Sequence, residues 1–120
     1  MDNIKIAVAS SDGVVVNEHF GRAREFYIYQ IRDEELTLIE TRQVTPVCDV
    51  GDHDELRLKE NLEKLADCDY LLVSRIGEGA RIKASYMGIE AYEIPGCIDA
   101  SIEQLIKYIK IQKLISVGED

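Results

Sequence analysis

No apolar run in this chain approaches the roughly 20 residues that a membrane-spanning helix needs. The amino terminus, MDNIKIAVASSDG, has neither the basic stretch nor the long apolar run of a secretory signal, so the expected compartment is the cytoplasm. Positive charge is scarce: 14 Lys and Arg stand against 23 Asp and Glu, and the formal charge of −9 repels phosphate and argues against a nucleic-acid partner. Cysteine is sparse as well. Cys48, Cys68 and Cys97 are the three present, and no CxxC spacing joins them, which excludes a zinc knuckle and a thioredoxin-type site. Free thiols, two of them buried, are the expectation. The catalytic signatures GxSxG, GxGxxG, HExxH and the phosphate-binding GxxxxGK loop are all missing. Repeats, linkers and low-complexity tracts are missing too.

What remains is an ordinary globular composition, 46% hydrophobic and 31% charged over 120 residues. A chain of that length buries about two thirds of its unfolded surface without staples, so residues 1–120 read as one domain. Ile4 to Ala9 is a short apolar run closed by Ser10-Ser11-Asp12-Gly13, a strand and then a turn. Phe26 to Ile31 and Leu36 to Thr41 are β-prone runs joined by polar Arg32 to Glu35, which predicts an antiparallel hairpin. Residues 44–53 carry proline, glycine and acids and read as a loop. Leu58, Leu62 and Leu65 fall at helical spacing within Asp54 to Ala66. Tyr70 to Val73 is a continuous apolar strand of the kind buried on both faces of a parallel sheet. A helix carrying Ala80, Ala84 and Met87 follows, with Gly88 as its stop. Ile89 to Ile94 reads as a further core strand, and Ile102, Leu105, Ile106 and Ile109 mark a last helix capped by Asp99 or Ser101. The order predicts an α/β fold of helices packed on a mixed five-stranded sheet, strand order 3-2-1-4-5, with the hairpin at one side and parallel crossovers at the other.

Strand direction then decides which loops meet. Residues 10–25, 44–53, 74–79 and 95–99 all open at one rim, where ligands of such sheets settle. That rim collects His19 and His53, Cys48 and Cys97, and Arg22, Arg24 and Arg75. Imidazole and thiolate are natural ligands of zinc, iron and iron–sulfur species, and arginines with glycine-turn N–H groups suit an anion. Plainer readings stand beside these. Arg22 and Arg24 could pair with Glu18 and Glu25, His53 could belong to a helix cap, Cys48 could be an ordinary loop residue, and Cys68 is most simply a small core residue. Spacing alone leaves an anion- or metal-binding α/β domain. The strand order is also that of ribonuclease H, but IKIAVA has no acid in its middle and Asp12 lies beyond its end. A nuclease, which gathers several carboxylates around two metals, is therefore not expected.

The stretches IAVASSDGVVVNEHFGRAREFYIY, LADCDYLLVSRIGEGA and GIEAYEI resemble the dinitrogenase iron–molybdenum cofactor biosynthesis family, the domain of NifX-like proteins, of NafY and of the carboxyl-terminal part of NifB. The segment around His19-Phe20-Gly21 is the most specific element. The resemblance implies a three-layer, ribonuclease H-like fold and a non-catalytic carrier of an iron–sulfur cluster or iron–molybdenum cofactor precursor. Cluster-assembly proteins would be donor and acceptor, with the carrier a monomer or weak homodimer. It makes His19 the cluster-binding residue and, more loosely, Cys48 a second; His53, from the rim set above, is a further candidate metal ligand. Phe20, Gly21, Arg22, Arg24, Ser10, Ser11, Arg75 and Gly77 complete the cradle, in which the N–H groups of Ser10 to Gly13 and Gly77 to Gly79 offset cluster charge. The radical-SAM CxxxCxxC module of the larger relatives is lacking, so no enzyme activity is expected. Two alternatives remain: a regulatory or scaffold module that binds a protein partner or small anion without metal, and a zinc site from His19, Cys48, His53 and Cys97.

Overall fold

The computed structural model describes residues 3–47 and 55–118, with backbone alone for 115–118. Strand β1 (Ile4–Ala9) leads to a two-residue strand, β2 (Val15–Val16), and a single 3-10 turn at Phe20–Arg22. The hairpin strands β3 (Glu25–Arg32) and β4 (Glu35–Gln43) come next, then α1 (Glu55–Glu63), β5 (Tyr70–Val73) and α2 (Glu78–Tyr86). The chain closes with β6 (Glu90–Glu93), β7 (Gly96–Cys97) and α3 (Ile98–Gly118). None of the described helices is long and apolar enough to cross a membrane.

β1 is the centre of a mixed five-stranded sheet of order β4-β3-β1-β5-β6, antiparallel to β3 and parallel to β5. Its residues alternate between two cores, as a strand covered on both sides must. Ala7 and Ala9 join Phe26, Ile28, Leu71 and Val73 beneath Leu62 of α1 and Ala84 of α2. Ile6 and Val8 join Tyr29, Ile31 and Leu72 beneath Ile98, Ile102, Leu105 and Ile109 of α3. Helices thus cover both faces. The hairpin turns on Asp33 and Glu34 alone, both at positive φ (52° and 66°), the mirror-image turn whose twist matches the flanking strands.

Three expectations need correction. Ile89 to Ile94 is not a core strand: β6 is the sheet edge, with Glu90 and Glu93 exposed and Ile89 buried just before it. Neither Asp99 nor Ser101 caps α3, because the helix already begins at Ile98 and both residues lie inside it. Asp99 instead sits in the first turn, where its charge suits the helix dipole, and the buried Ser101 hydroxyl donates to the Ile94 carbonyl at 2.8 Å. The third is an omission. β2 and β7 pair as a separate small antiparallel sheet, Val15 opposite Cys97, too short to leave a periodic signal.

One ion cluster ties three elements together. Asp67 accepts from both terminal nitrogens of Arg42 in β4, at 2.6 and 3.0 Å, and from Lys5 Nζ in β1 at 3.0 Å. Hydrogen bonds from Arg42 hold the Asp67 carboxyl well below the usual carboxylate range. A carboxylate depressed in the folded state stabilises fully above its unfolded pKa of about 3.9, and the contribution fades as pH falls below that value. The Asp67 side chain is 45% exposed, so screening limits the effect to about 1 kcal/mol. Thermal melts of Asp67→Asn against the parent between about pH 2 and 7 should show a steady gap above about pH 5 that narrows as pH falls below about 4. A gap that widened toward low pH would contradict this.

Candidate functional site

The turn after β1 is a latch closed on itself. Ser10, 1% exposed, accepts at Oγ from the N–H groups of Asp12 and Gly13 and donates to Asp12 Oδ1. That Oδ1 accepts in turn from the Val14 and Val15 N–H groups, at 2.8 and 3.2 Å. Ser11 exchanges two bonds with the Asn17 side chain, its N–H donating to Oδ1 and its Oγ accepting from Nδ2. Gly13 fits because its φ of +77° suits a residue without Cβ. The consequence is a correction: the N–H groups of Ser11, Asp12 and Gly13 are already bonded inside the chain and are not a cradle for an anion. Ser10 and Ser11 shape the loop.

The latch aims the next segment at the 74–79 loop. The Ser74 N–H donates to the Glu18 carbonyl at 3.0 Å, His19 bridges Arg75 in parallel fashion, and the Phe20 N–H donates to the Arg75 carbonyl at 2.8 Å. Residues 18–20 are thereby stitched alongside 74–75 by backbone alone. The Phe20 side chain points inward, 3% exposed and 5.8 Å from the Phe26 ring centre. This corrects its assignment as a cofactor-binding side chain: Phe20 anchors the segment from below. His19 stands at the surface and its ring makes no hydrogen bond to any described residue, not even as a cap of the turn it precedes. Arg22, Arg24 and Arg75 are exposed and unpaired among the described residues. The expected alternative, ion pairs with Glu18 and Glu25, is not formed. Glu25 is taken up by Gln43 Nε2 at 3.0 Å and by the Tyr27 hydroxyl.

Two depressions share Arg22. One, of about 320 Å³, is lined by His19, Gly21, Arg22, Arg75, Ile76 and Gly77. The other, of about 270 Å³, is lined by Ser10, Ser11, Glu18, Arg22, Arg24, Glu25 and Gln43. The first is completed by the amino end of α2, where Gly77 precedes the helix and no side chain caps it. Gly77 sits at φ −70°, and Cβ atoms built on Gly77 or Gly79 would meet nothing within 4 Å. Nothing among the described residues requires glycine at either position, so what the pair provides is open backbone beside the imidazole. Glu93 holds this loop: its Oε2 accepts the Ile76 N–H at 2.9 Å. Sequence reasoning passed over Glu93 and Ile76. The acid closing β6 opposite Val73 was the available signal, since that register carries it to the lip.

Cys48 and His53 lie outside the described residues. Among the described residues no group of three His, Cys, Asp or Glu is placed to hold a metal ion. Cys97 is exposed in β7, opposite Val15 of β2. Cys68 is buried, and burial pushes its thiol up to about 12, as an inert core residue requires.

Residues 2–108 match the profile of a family described as dinitrogenase iron-molybdenum cofactor. The FeMo cofactor biosynthesis protein NifB of Frankia alni is 37% identical over 105 residues, 85% of this chain and 21% of that protein. Its namesake in Chlorobaculum tepidum is 33% identical over 99 residues, 81% of this chain and 22% of that protein. The chain therefore spans about a fifth of these curated relatives, 21% and 22% of their lengths. Among solved structures, PH0822 superposes with a TM-score of 0.66 at 22% identity, covering 87% of this chain and 91% of that one. A putative dinitrogenase of Methanocaldococcus jannaschii gives 0.58 at 21%, covering 89% and 91%. Both likenesses speak to the fold alone.

Proposed function

The chain belongs to the dinitrogenase iron-molybdenum cofactor family, and on that premise we propose that it is a non-catalytic carrier. Its cargo is an iron–sulfur or iron–molybdenum cluster, or a precursor of one, passed between assembly proteins of the cytoplasm. The observation that carries the reading is a surface imidazole that, among the described residues, has no hydrogen bond, set beside Arg22 and Arg75, unpaired among the same residues, and an open glycine backbone. His19 supplies a nitrogen ligand to iron, the two guanidiniums offset the charge of a sulfide-rich cluster, and Gly77 lets the cluster approach the uncapped N–H groups of α2. Cys48, which follows Val47 and lies outside the described residues, is the second ligand in this proposal. The fold is read as a ribonuclease H-like layout in which, among the described residues, no three His, Cys, Asp or Glu are gathered as its two-metal nucleases gather carboxylates.

The test is anaerobic titration of the protein with an isolated cluster, followed by gel filtration and iron analysis. A visible chromophore that co-elutes with the protein and saturates is expected. Arg75→Gln, which keeps the backbone bridge and removes the charge, should weaken binding roughly tenfold and flatten its salt dependence. Protein eluting without colour or iron would overturn the reading.

A further inference from the structure

Independently of the cargo, we propose that the free edge of β6 is a pairing surface for a second copy of this chain. The Glu90 N–H donates to the Asp69 carbonyl and the Ile94 N–H to the Val73 carbonyl, both at 3.1 Å. Backbone groups of a strand alternate sides, so Glu90, Tyr92 and Ile94 face β5 while the N–H and C=O of Ala91 and Glu93 face outward. No described residue bonds to those four groups.

The four groups are self-complementary in one antiparallel register. With Ala91 opposite Glu93 of the second copy, and Glu93 opposite its Ala91, all four groups of each copy are bonded, four bonds in all, and Tyr92 meets its own symmetry mate. No glutamate then faces a glutamate. A shift of one pair of residues either halves the bonds or sets Glu93 against Glu93.

Four residues of edge fall short of the roughly 800 Å² per partner that a stable interface buries, so both helical layers must contribute. They are equipped to do so. A cavity of about 590 Å³ runs along β6 between Ile82 of α2 and Tyr108 of α3. Ile82 is 46% exposed, Tyr108 43% and Tyr86 87%. Charge supports a second copy as the occupant. This is a chain of −9, yet Arg81 and Lys113 line the same edge as Glu90, so opposite signs can meet across a two-fold axis. The other free edge, β4, is guarded against self-pairing by a bulge at Ile39 and by exposed Asp33, Glu34, Glu35 and Glu40. A two-fold axis at Tyr92 reverses strand direction, so the two His19 lips open at opposite ends of a ten-stranded sheet and neither copy blocks the other.

Sedimentation of the full chain up to about 100 µM, the range of weak dimers, should show a reversible monomer–dimer equilibrium. Ala91→Pro removes only an outward N–H, a change edge strands accept, and should weaken association at least about tenfold with Tm unchanged. Tyr92→Cys in a Cys48→Ser, Cys97→Ser background should give a 92–92 disulfide on mild oxidation, because directly opposed residues of this kind stand at bridging distance. Glu90→Cys in the same background should not give a 90–90 bridge. Monomer at every concentration would overturn the proposal, and so would a dimer that survives Ala91→Pro and is not locked at residue 92.

Discussion

His19→Ala is expected to lower affinity for the cluster by more than about 100-fold while leaving Tm within about 2 °C of the parent. Removing a partner that merely orients a metal ligand costs 10- to 100-fold, so removing a ligand should exceed about 100-fold. Stability should not follow, because the fold uses His19 only through its backbone. The bridge to Arg75 and the Phe20 N–H bond to the Arg75 carbonyl survive any side chain. Surface changes of that kind stay within about 0.5 kcal/mol. The same variant separates cluster from small anion. An anion that the imidazole merely hydrogen-bonds would lose about 1 kcal/mol, roughly fivefold. His19→Cys adds a control, since a thiolate also ligates iron and should restore most of the colour with a shifted absorption band. Equal cluster binding by His19→Ala and the parent would remove the imidazole from the mechanism, whatever the protein carries.

Much of this arrangement was legible before any coordinates. The apolar strand Tyr70 to Val73, the hairpin around Asp33 and the leucines of α1 carry strong local periodicity, and short-range patterning is what side-chain burial imposes on a sequence. The meeting of the 10–25 and 74–79 loops followed from strand direction, not from any local signal. What stayed hidden depends on which partner a polar group chooses. The run Ser10-Ser11-Asp12-Gly13 looks the same whether its N–H groups await a ligand or are consumed by the side chains of Asn17 and Ser10. Arg22 and Arg24 sit within reach of Glu18 and Glu25, yet Glu25 is engaged elsewhere. β6 reads as apolar enough for a core, but it is an edge because no further described strand pairs beyond it. Periodicity reports burial, and it is silent about hydrogen-bond choice and neighbour count.

Phe20→Ala should be the most destabilising change near the site, and its effect on cargo should be indirect. The ring is almost wholly buried against Phe26, in a core that also holds Ala23 and Ile76 from the two loops it joins. Truncating a buried phenylalanine loses its transfer free energy and leaves a void, about 3–5 kcal/mol together. In a domain whose total stability is about 5–15 kcal/mol, that should lower Tm by roughly 10–20 °C. Between β1 and the hairpin, Phe20 is the large apolar side chain holding residues 17–24 down, so its loss should also open the lip. Amide exchange at Phe20 and Ser74, whose N–H groups close the seam between the loops, should then speed up before the sheet amides do. Cluster affinity should fall with that opening, although the ring never faces the depression. Phe20→Leu, which keeps most of the volume, should return the greater part of stability and affinity together. The contrast with His19 is the test: one side chain should govern affinity without stability, its neighbour both at once. A Phe20→Ala protein with normal exchange at Ser74 but lost binding would instead place the ring in direct contact with the cargo, and the seam would have to be redrawn.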